Sequence, residues 1–338
     1  MDAKRVTRRD FMGDSVKMAV GAAACLGAAG GPSVRAAGAP AVDTSKILNY
    51  NPNMEYRRLG KTGLMVSTIG LGGHSRSNVQ QRKEVVARCL EAGINFIDST
   101  GGGELHRDLE ALGPNRDKVY LALSETGSEP RNPDYRTATK LLETLENSLK
   151  RVNLEYTDLW RITVYEPGGR HTFNTCCEVM DALEKAKKQG KARYIGIASH
   201  DRRWFKMMIE QFPQLEVILF PFTTMTKAAP TDSLFEAMKQ CDVGAFGIKP
   251  FGGGSLFEGA AEERDRRARL AIRYILQTNT VLPIPGMNSV AQVDNVAKAV
   301  MERRKLDVKE QAELQDAARE MWANLPPHYQ WLRNWEYV

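Results

Sequence analysis

The 338-residue chain has five cysteines, none in a C-x-x-C pair and none with histidine at metal-ligand spacing, so zinc-ribbon and iron–sulfur readings fall away and no metal site is expected. Cys89, in the run Val85-Val86-Ala87-Arg88-Cys89-Leu90, reads as a buried helix position. Its companions Cys176 and Cys177 are chain neighbours and point to different faces, so free thiols are expected rather than a disulfide. Long apolar runs are also missing: the Ala/Gly-rich stretch 18–30 is too short and too weakly hydrophobic for a stable bilayer span. There is no block of like charge, and without residues 1–36, which carry six Lys/Arg against three Asp, the net charge of +6 falls to +3. So small a surplus argues against a nucleic-acid partner. Gly70-Leu71-Gly72-Gly73 does not fit G-x-G-x-x-G, which a doubly wound dinucleotide-binding sheet would normally carry after its first strand.

What is present begins with a processing signal over 1–36. Basic residues precede the apolar stretch, Val34-Arg35-Ala36 fits a signal peptidase site, and Thr7-Arg8-Arg9-Asp10-Phe11-Met12 resembles the twin-arginine export motif. The chain is therefore expected to meet the twin-arginine machinery, to leave the cytoplasm folded, and to keep no transmembrane span. Residues 37–53, with Pro40, Pro52 and several small residues, read as a mobile linker.

From residue 54 onward short β-rich runs alternate with amphipathic helical runs, the pattern of β-α units around a parallel sheet. Strands are expected near 67–71, 95–98, 119–124, 158–163, 193–198, 216–220, 243–248 and 281–284, and eight strands close a barrel. Over 137–151, Leu141, Leu142, Leu145 and Leu149 recur at helical spacing opposite Lys140, Glu143 and Lys150, and a second helix over 177–189 stops at Gly190. The fold class is α/β, a (β/α)8 TIM barrel over 54–325, followed by a tail over 326–338 whose aromatics must cover an apolar surface.

Several ordered segments now suggest a family. Tyr56-Arg57-Arg58-Leu59-Gly60-Lys61-Thr62-Gly63-Leu64, Ile69-Gly70-Leu71-Gly72, Gly93-Ile94-Asn95-Phe96-Ile97-Asp98, Tyr194-Ile195-Gly196-Ile197-Ala198-Ser199 and Pro283-Ile284-Pro285-Gly286 resemble the aldo-keto reductases in order and content. The resemblance implies an N-terminal β-hairpin under the barrel, an active site at the C-terminal ends of the strands, and NAD(P) as cofactor. It also implies a catalytic aspartate, tyrosine, lysine and histidine. Asp98 matches the aspartate. The tyrosine position falls in Ser99-Thr100-Gly101-Gly102-Gly103, the lysine corresponds to Ser124, and the histidine to Thr163. For the cofactor, the resemblance implies Ser199 and His200 after the fifth strand, Lys249 and Gly252 in the Pro-containing loop Lys249-Pro250-Phe251-Gly252-Gly253-Gly254, and Gly286 and Asn295 (with Asp294) after the eighth. Asn288 and Gln292 stand where a cation for a ribose 2′-phosphate is expected, and neutral amides give no preference for NADP over NAD.

A carboxylate facing the barrel interior without its lysine needs another cation. Strand alternation puts Arg161 on the same side as Thr163, from where it reaches toward Asp98 and Glu125. Its charge is permanent, so it can bind an oxyanion but cannot transfer a proton at neutral pH. The proton-transfer candidates are Tyr165 and His171 in the loop after the fourth strand, with His106 as a further one, and His74 after the first strand is expected to line the pocket. Two functions stay open: an exported nicotinamide-dependent oxidoreductase acting on a carbonyl or polyhydroxylated, sugar-like small molecule with a non-standard proton donor, or a redox-inactive barrel serving as a binding protein or non-redox enzyme.

Overall fold

The computed structural model describes residues 43–75, 77–164, 172–224, 233–258 and 262–334. Strands β3 (Phe96–Thr100), β4 (Tyr120–Ser124), β5 (Thr157–Thr163), β6 (Ala192–Ala198), β7 (Val217–Pro221), β8 (Gly244–Ile248) and β9 (Val281–Pro283) form one parallel sheet in sequence order. Every residue of β4, β5 and β7 is buried, as a sheet covered on both faces requires.

The ring closes through residues 69–72. Leu71 N–H donates to Phe96 O and Asp98 N–H to Leu71 O, each at 2.9 Å, while on the other side Gly70 N–H donates to Pro283 O at 3.1 Å and Gly72 N–H to Pro285 O at 2.9 Å. This short segment is the expected first strand, and with it the barrel has eight. Eight helices follow the strands in turn: α1 (Val79–Glu91), α2 (Gly102–Leu112), α3 (Ala138–Arg151), α4 (Phe173–Lys188), α5 (Arg202–Gln211), α6 (Ser233–Gln240), α7 (Arg264–Leu276) and α8 (Val290–Met301). In α3 the expected stripe is buried at Leu141, Leu145 and Leu149, and the Thr137 side chain caps the helix by accepting from Lys140 N–H. Among the described residues no helix is long and apolar enough to cross a membrane.

The expected hairpin is β1 (Tyr56–Arg58) paired with β2 (Met65–Ser67). Its Leu59, Leu64 and Val66 pack with Phe96, Leu159, Val217, Phe246 and Leu282 to plug the barrel interior. Phe96 stacks on Phe246 at 4.0 Å between ring centroids. A further helix, α9 (Val308–Ala323), lies against α7 and the 3-10 turns of Gly252–Phe257, which the 3-10 turns of Pro327–Asn334 also touch, and Met321, Leu325 and Leu332 bury with Leu256 and Leu270. Of the expected tail, Leu332 and the half-buried Tyr329 pack on this apolar cluster.

Residues 44–53 correct the expected mobile linker. Asn49 Nδ2 donates to Leu90 O and Ile94 O at 2.8 and 3.1 Å, Asn51 Nδ2 donates to Glu91 O at 2.8 Å, and Ile47 is buried. Cys89 and Cys176 are buried, and Cys177 and Cys241 are half-buried.

Candidate active site

On β3, Phe96 and Asp98 share the inward face; on β5, Leu159, Arg161 and Thr163 do. The polar members therefore sit one layer above the aromatic plug, at the C-terminal mouth. Arg161 Nε donates to Asp98 Oδ1 and Nη2 to Asp98 Oδ2, both at 2.8 Å, and Nη1 donates to Thr163 Oγ1 at 3.0 Å. The two side chains are only 5% and 3% exposed. Burial works against the Arg161 charge, but Asp98, Glu129 and Glu104 outweigh it and its pKa is raised. Arg161 thus stands where a cation was required.

The second expected partner was Glu125, and here the structure differs. The Glu125 carboxylate turns to α3, where it accepts from Ser148 Oγ and lies 3.7 Å from Arg151 Nη2. The carboxylate behind the site is instead Glu129, which sequence reasoning missed. Glu129 Oε1 accepts from Ser124 Oγ at 2.8 Å and from Glu125 N–H at 2.9 Å, and Oε2 accepts from Thr163 N–H at 3.0 Å. Burial pushes its carboxyl from an ordinary 4.5 up to about 7, against the opposing pull of Arg161 and of the hydrogen bonds from Ser124 and Thr163.

A cleft of about 1200 Å³ opens above this layer, and its wall includes Asp98, Arg161, Thr163, Ser199, His200, Lys249, Gly286 and Asn295. Gly103 also lines it, in the stretch where the family tyrosine was expected. His74, at φ +63°, lines the rim, and its N–H donates to Thr100 Oγ1 and to Glu104 Oε2 at 2.9 and 3.0 Å. Burial, with the cations Lys249 and Arg131, holds His200 well below the ordinary histidine pKa, so it is a neutral imidazole at pH 7. His106 is on the exposed face of α2, 4.0 Å from Glu110, and takes no part in the site. Tyr165 and His171 lie outside the described residues.

The donors along the cleft fit one part of a nicotinamide dinucleotide better than the other. Ser199 is buried beside the mouth, and Lys249 and Arg264 supply cations on the wall for a diphosphate. In the loop between them Gly252, Gly253 and Gly254 all have positive φ; Gly253 and Gly254 line the cleft, while a Cβ on Gly252 would stand 2.6 Å from Met321 Sδ. At the adenine end Asn295 is already engaged, its Oδ1 accepting from Arg269 and its Nδ2 donating to Asp265 O at 2.9 Å. Asp294 turns away to Arg88. Asn288 Oδ1 accepts from Ser75 and Ser77 hydroxyls, each at 3.2 Å, and adds no cation.

A closed eight-strand barrel with a hairpin plug and a strand-end aspartate beside a phosphate-compatible cleft defines a class, and comparison with known proteins shows it: the aldo/keto reductase family matches residues 64–268, and this chain belongs to that family. The L-galactose dehydrogenase of Arabidopsis thaliana is 27% identical over 295 residues, spanning 76% of this chain and 92% of that protein. The L-glyceraldehyde 3-phosphate reductase of Escherichia coli O157:H7 is 25% identical over 274 residues, spanning 72% and 76%. An aldo-keto reductase from Klebsiella pneumoniae, solved in complex with NADPH, superposes with a TM-score of 0.61 at 21% identity, covering 78% of this chain and 94% of that one. Members of the family act on small molecules and use NAD(P)H.

Proposed function

We propose that this protein is an NAD(P)-dependent oxidoreductase that interconverts a carbonyl and an alcohol on a sugar-like polyhydroxylated substrate, with a proton donor other than the family tyrosine. The observation that carries the reading is the continuous cleft joining the Asp98–Arg161 pair to Ser199, Lys249 and Arg264. The sugar-related relatives support the substrate class. Ser199 would hold the carboxamide end of the cofactor, Lys249 and Arg264 its diphosphate, and Gly252, Gly286, His200 and Asn295 would shape its bed. The bound cofactor supplies or accepts the hydride. Arg161, fixed by two bonds to Asp98, presents a permanent cation next to Thr163 and stabilises negative charge developing on the substrate oxygen. Tyr165 and His171 are the sequence's candidates for moving the proton, and Thr163 is a third.

Residues 1–36 are proposed to carry the folded protein out of the cytoplasm by the twin-arginine route, which the Arg8-Arg9 pair supports. Changing both arginines to lysine should trap a reporter fusion inside the cell; export of that variant would reject the route.

The test of activity is nucleotide titration of the mature protein, followed by initial rates with aldoses, ketoses and lactones. Binding of NAD or NADP with turnover of a sugar is the expected result. No co-purified nucleotide, and none bound at millimolar concentration, would leave a redox-inactive barrel, a binding protein or non-redox enzyme.

A further inference from the structure

We infer that Thr163 is the group that exchanges a proton with the substrate oxygen, and that Ser124 and Glu129 connect it to a buried proton store. The inference rests on the proposed carbonyl–alcohol chemistry and adds the route of its proton. Ser124 and Thr163 occupy the two positions where the family resemblance places lysine and histidine. Among the described residues they form an unbroken chain of oxygens: Glu129 Oε1 to Ser124 Oγ is 2.8 Å, and Ser124 Oγ to Thr163 Oγ1 is 2.9 Å. Glu129 and Ser124 are 2% and 0% exposed, while Thr163 is 9% exposed and lines the cleft. The chain therefore runs from a dry interior to the place where the substrate oxygen meets Arg161.

The direction of the hydroxyls follows from how many bonds each oxygen can make. When Glu129 is protonated it donates to Ser124, Ser124 donates to Thr163, and Thr163 also accepts from Arg161 Nη1 at 3.0 Å. Both acceptor sites of Thr163 Oγ1 are then filled, and its own proton is left to turn either to the Glu129 carboxyl, which it also reaches, or into the cleft toward the substrate oxygen. When Glu129 is ionised the chain reverses: Ser124 donates to the carboxylate, Thr163 donates to Ser124, and Thr163 Oγ1 keeps one acceptor site facing the cleft. The same three groups thus offer a donor to a carbonyl or an acceptor to an alcohol.

In the reducing direction the bound cofactor would supply the hydride to the substrate carbonyl. Its oxygen takes the Thr163 proton, Thr163 takes that of Ser124, and Ser124 takes that of Glu129, which ends as a carboxylate and is reprotonated from solvent. Oxidation runs these transfers backward. Among the described residues the cation facing the Glu129 carboxyl is Arg161, the Glu125 carboxylate turns away to Ser148 and Arg151, and the Ser124 and Thr163 hydroxyls and backbone N–H groups bond to Glu129. With the carboxyl pushed up to about 7, both forms of the relay are populated near neutral pH.

The experiment compares wild type with Thr163→Val, Thr163→Ser and Ser124→Ala, each first shown to be folded and to bind nucleotide as wild type does. The wild-type kcat should inflect near pH 7. Thr163→Val and Ser124→Ala should lose about 100-fold in kcat and the inflection, with KM little changed, whereas Thr163→Ser should keep both. An independent reading, needing no cofactor, is infrared titration of the buried carboxyl: a band that disappears near pH 7 in wild type and is missing from Glu129→Gln. Wild-type kcat and inflection in Thr163→Val, or equal losses in Thr163→Ser and Thr163→Val, would overturn the relay, as would a Glu129 carboxyl that does not titrate near neutrality. A wild type that binds no nucleotide would instead sink the proposed function.

Discussion

Two buried arginine–carboxylate pairs sit on opposite faces of the same strand, and their differences separate the candidate site from a packing element. Asp98 points into the barrel, and its partner Arg161 is bonded through Nε, Nη1 and Nη2. Ser99, the next residue, points out between the helices, where its hydroxyl donates to Asp108 at 2.6 Å and Arg82 Nε donates to the same carboxyl at 2.5 Å. Arg82 and Asp108 are fully buried, yet Arg82 Nη1 and Nη2 have no hydrogen-bond partner. The inner pair has a bond at each of the three guanidinium nitrogens, which fixes its orientation at the mouth of the cleft. The outer pair bears part of the cost of burying a guanidinium.

Arg161→Met leaves Asp98 buried without a partner and should lower unfolding free energy by about 3–5 kcal/mol, read by urea denaturation, with turnover lost. The proton on Glu129 gives the next effect. The unfolded chain releases it near 4.5 and the native protein near 7, so wild-type stability should fall as pH rises across that window. Glu129 accounts for about 3 kcal/mol of that fall, and a Glu129→Gln background should lack this part of it. Arg82→Met should cost less, about 2 kcal/mol, because two unbonded nitrogens leave with the side chain and burial already raises the Asp108 pKa, so the carboxyl can accept a proton. That variant should gain stability as pH is lowered, and its turnover should match wild type; replacing the outer pair together, as Arg82→Met with Asp108→Leu, should recover the loss. Ser99→Ala removes one bond to Asp108 and should cost about 1 kcal/mol in thermal melting, with no change in KM.

The barrel was legible in the sequence because parallel strands are short β-rich runs and their helices repeat leucine at fixed spacing. The Asp98–Arg161 pair was legible for a related reason: alternation along β5 fixes which side chains face inward, and a buried carboxylate demands a cation. Glu129 left no such trace. It lies in an irregular stretch, and its role depends on the chain folding back so that Thr163 N–H reaches it across 34 positions. Adjacency to β4 pointed to Glu125 instead. The anchoring of residues 44–53 was equally hidden, since Asn49 and Asn51 bind backbone oxygens about forty residues away and create no periodic pattern.

The seam at residues 69–72 has a consequence for how the molecule could be altered. A methyl group on Gly72 would stand 2.3 Å from the Ile284 carbonyl oxygen, so a side chain there acts as a wedge between the opening and the final strands. The girth of the whole cylinder is drawn tight at that one joint. A Gly72→Ala chain should loosen first along this line, next to the cleft wall, with its hairpin stopper still seated at the far end.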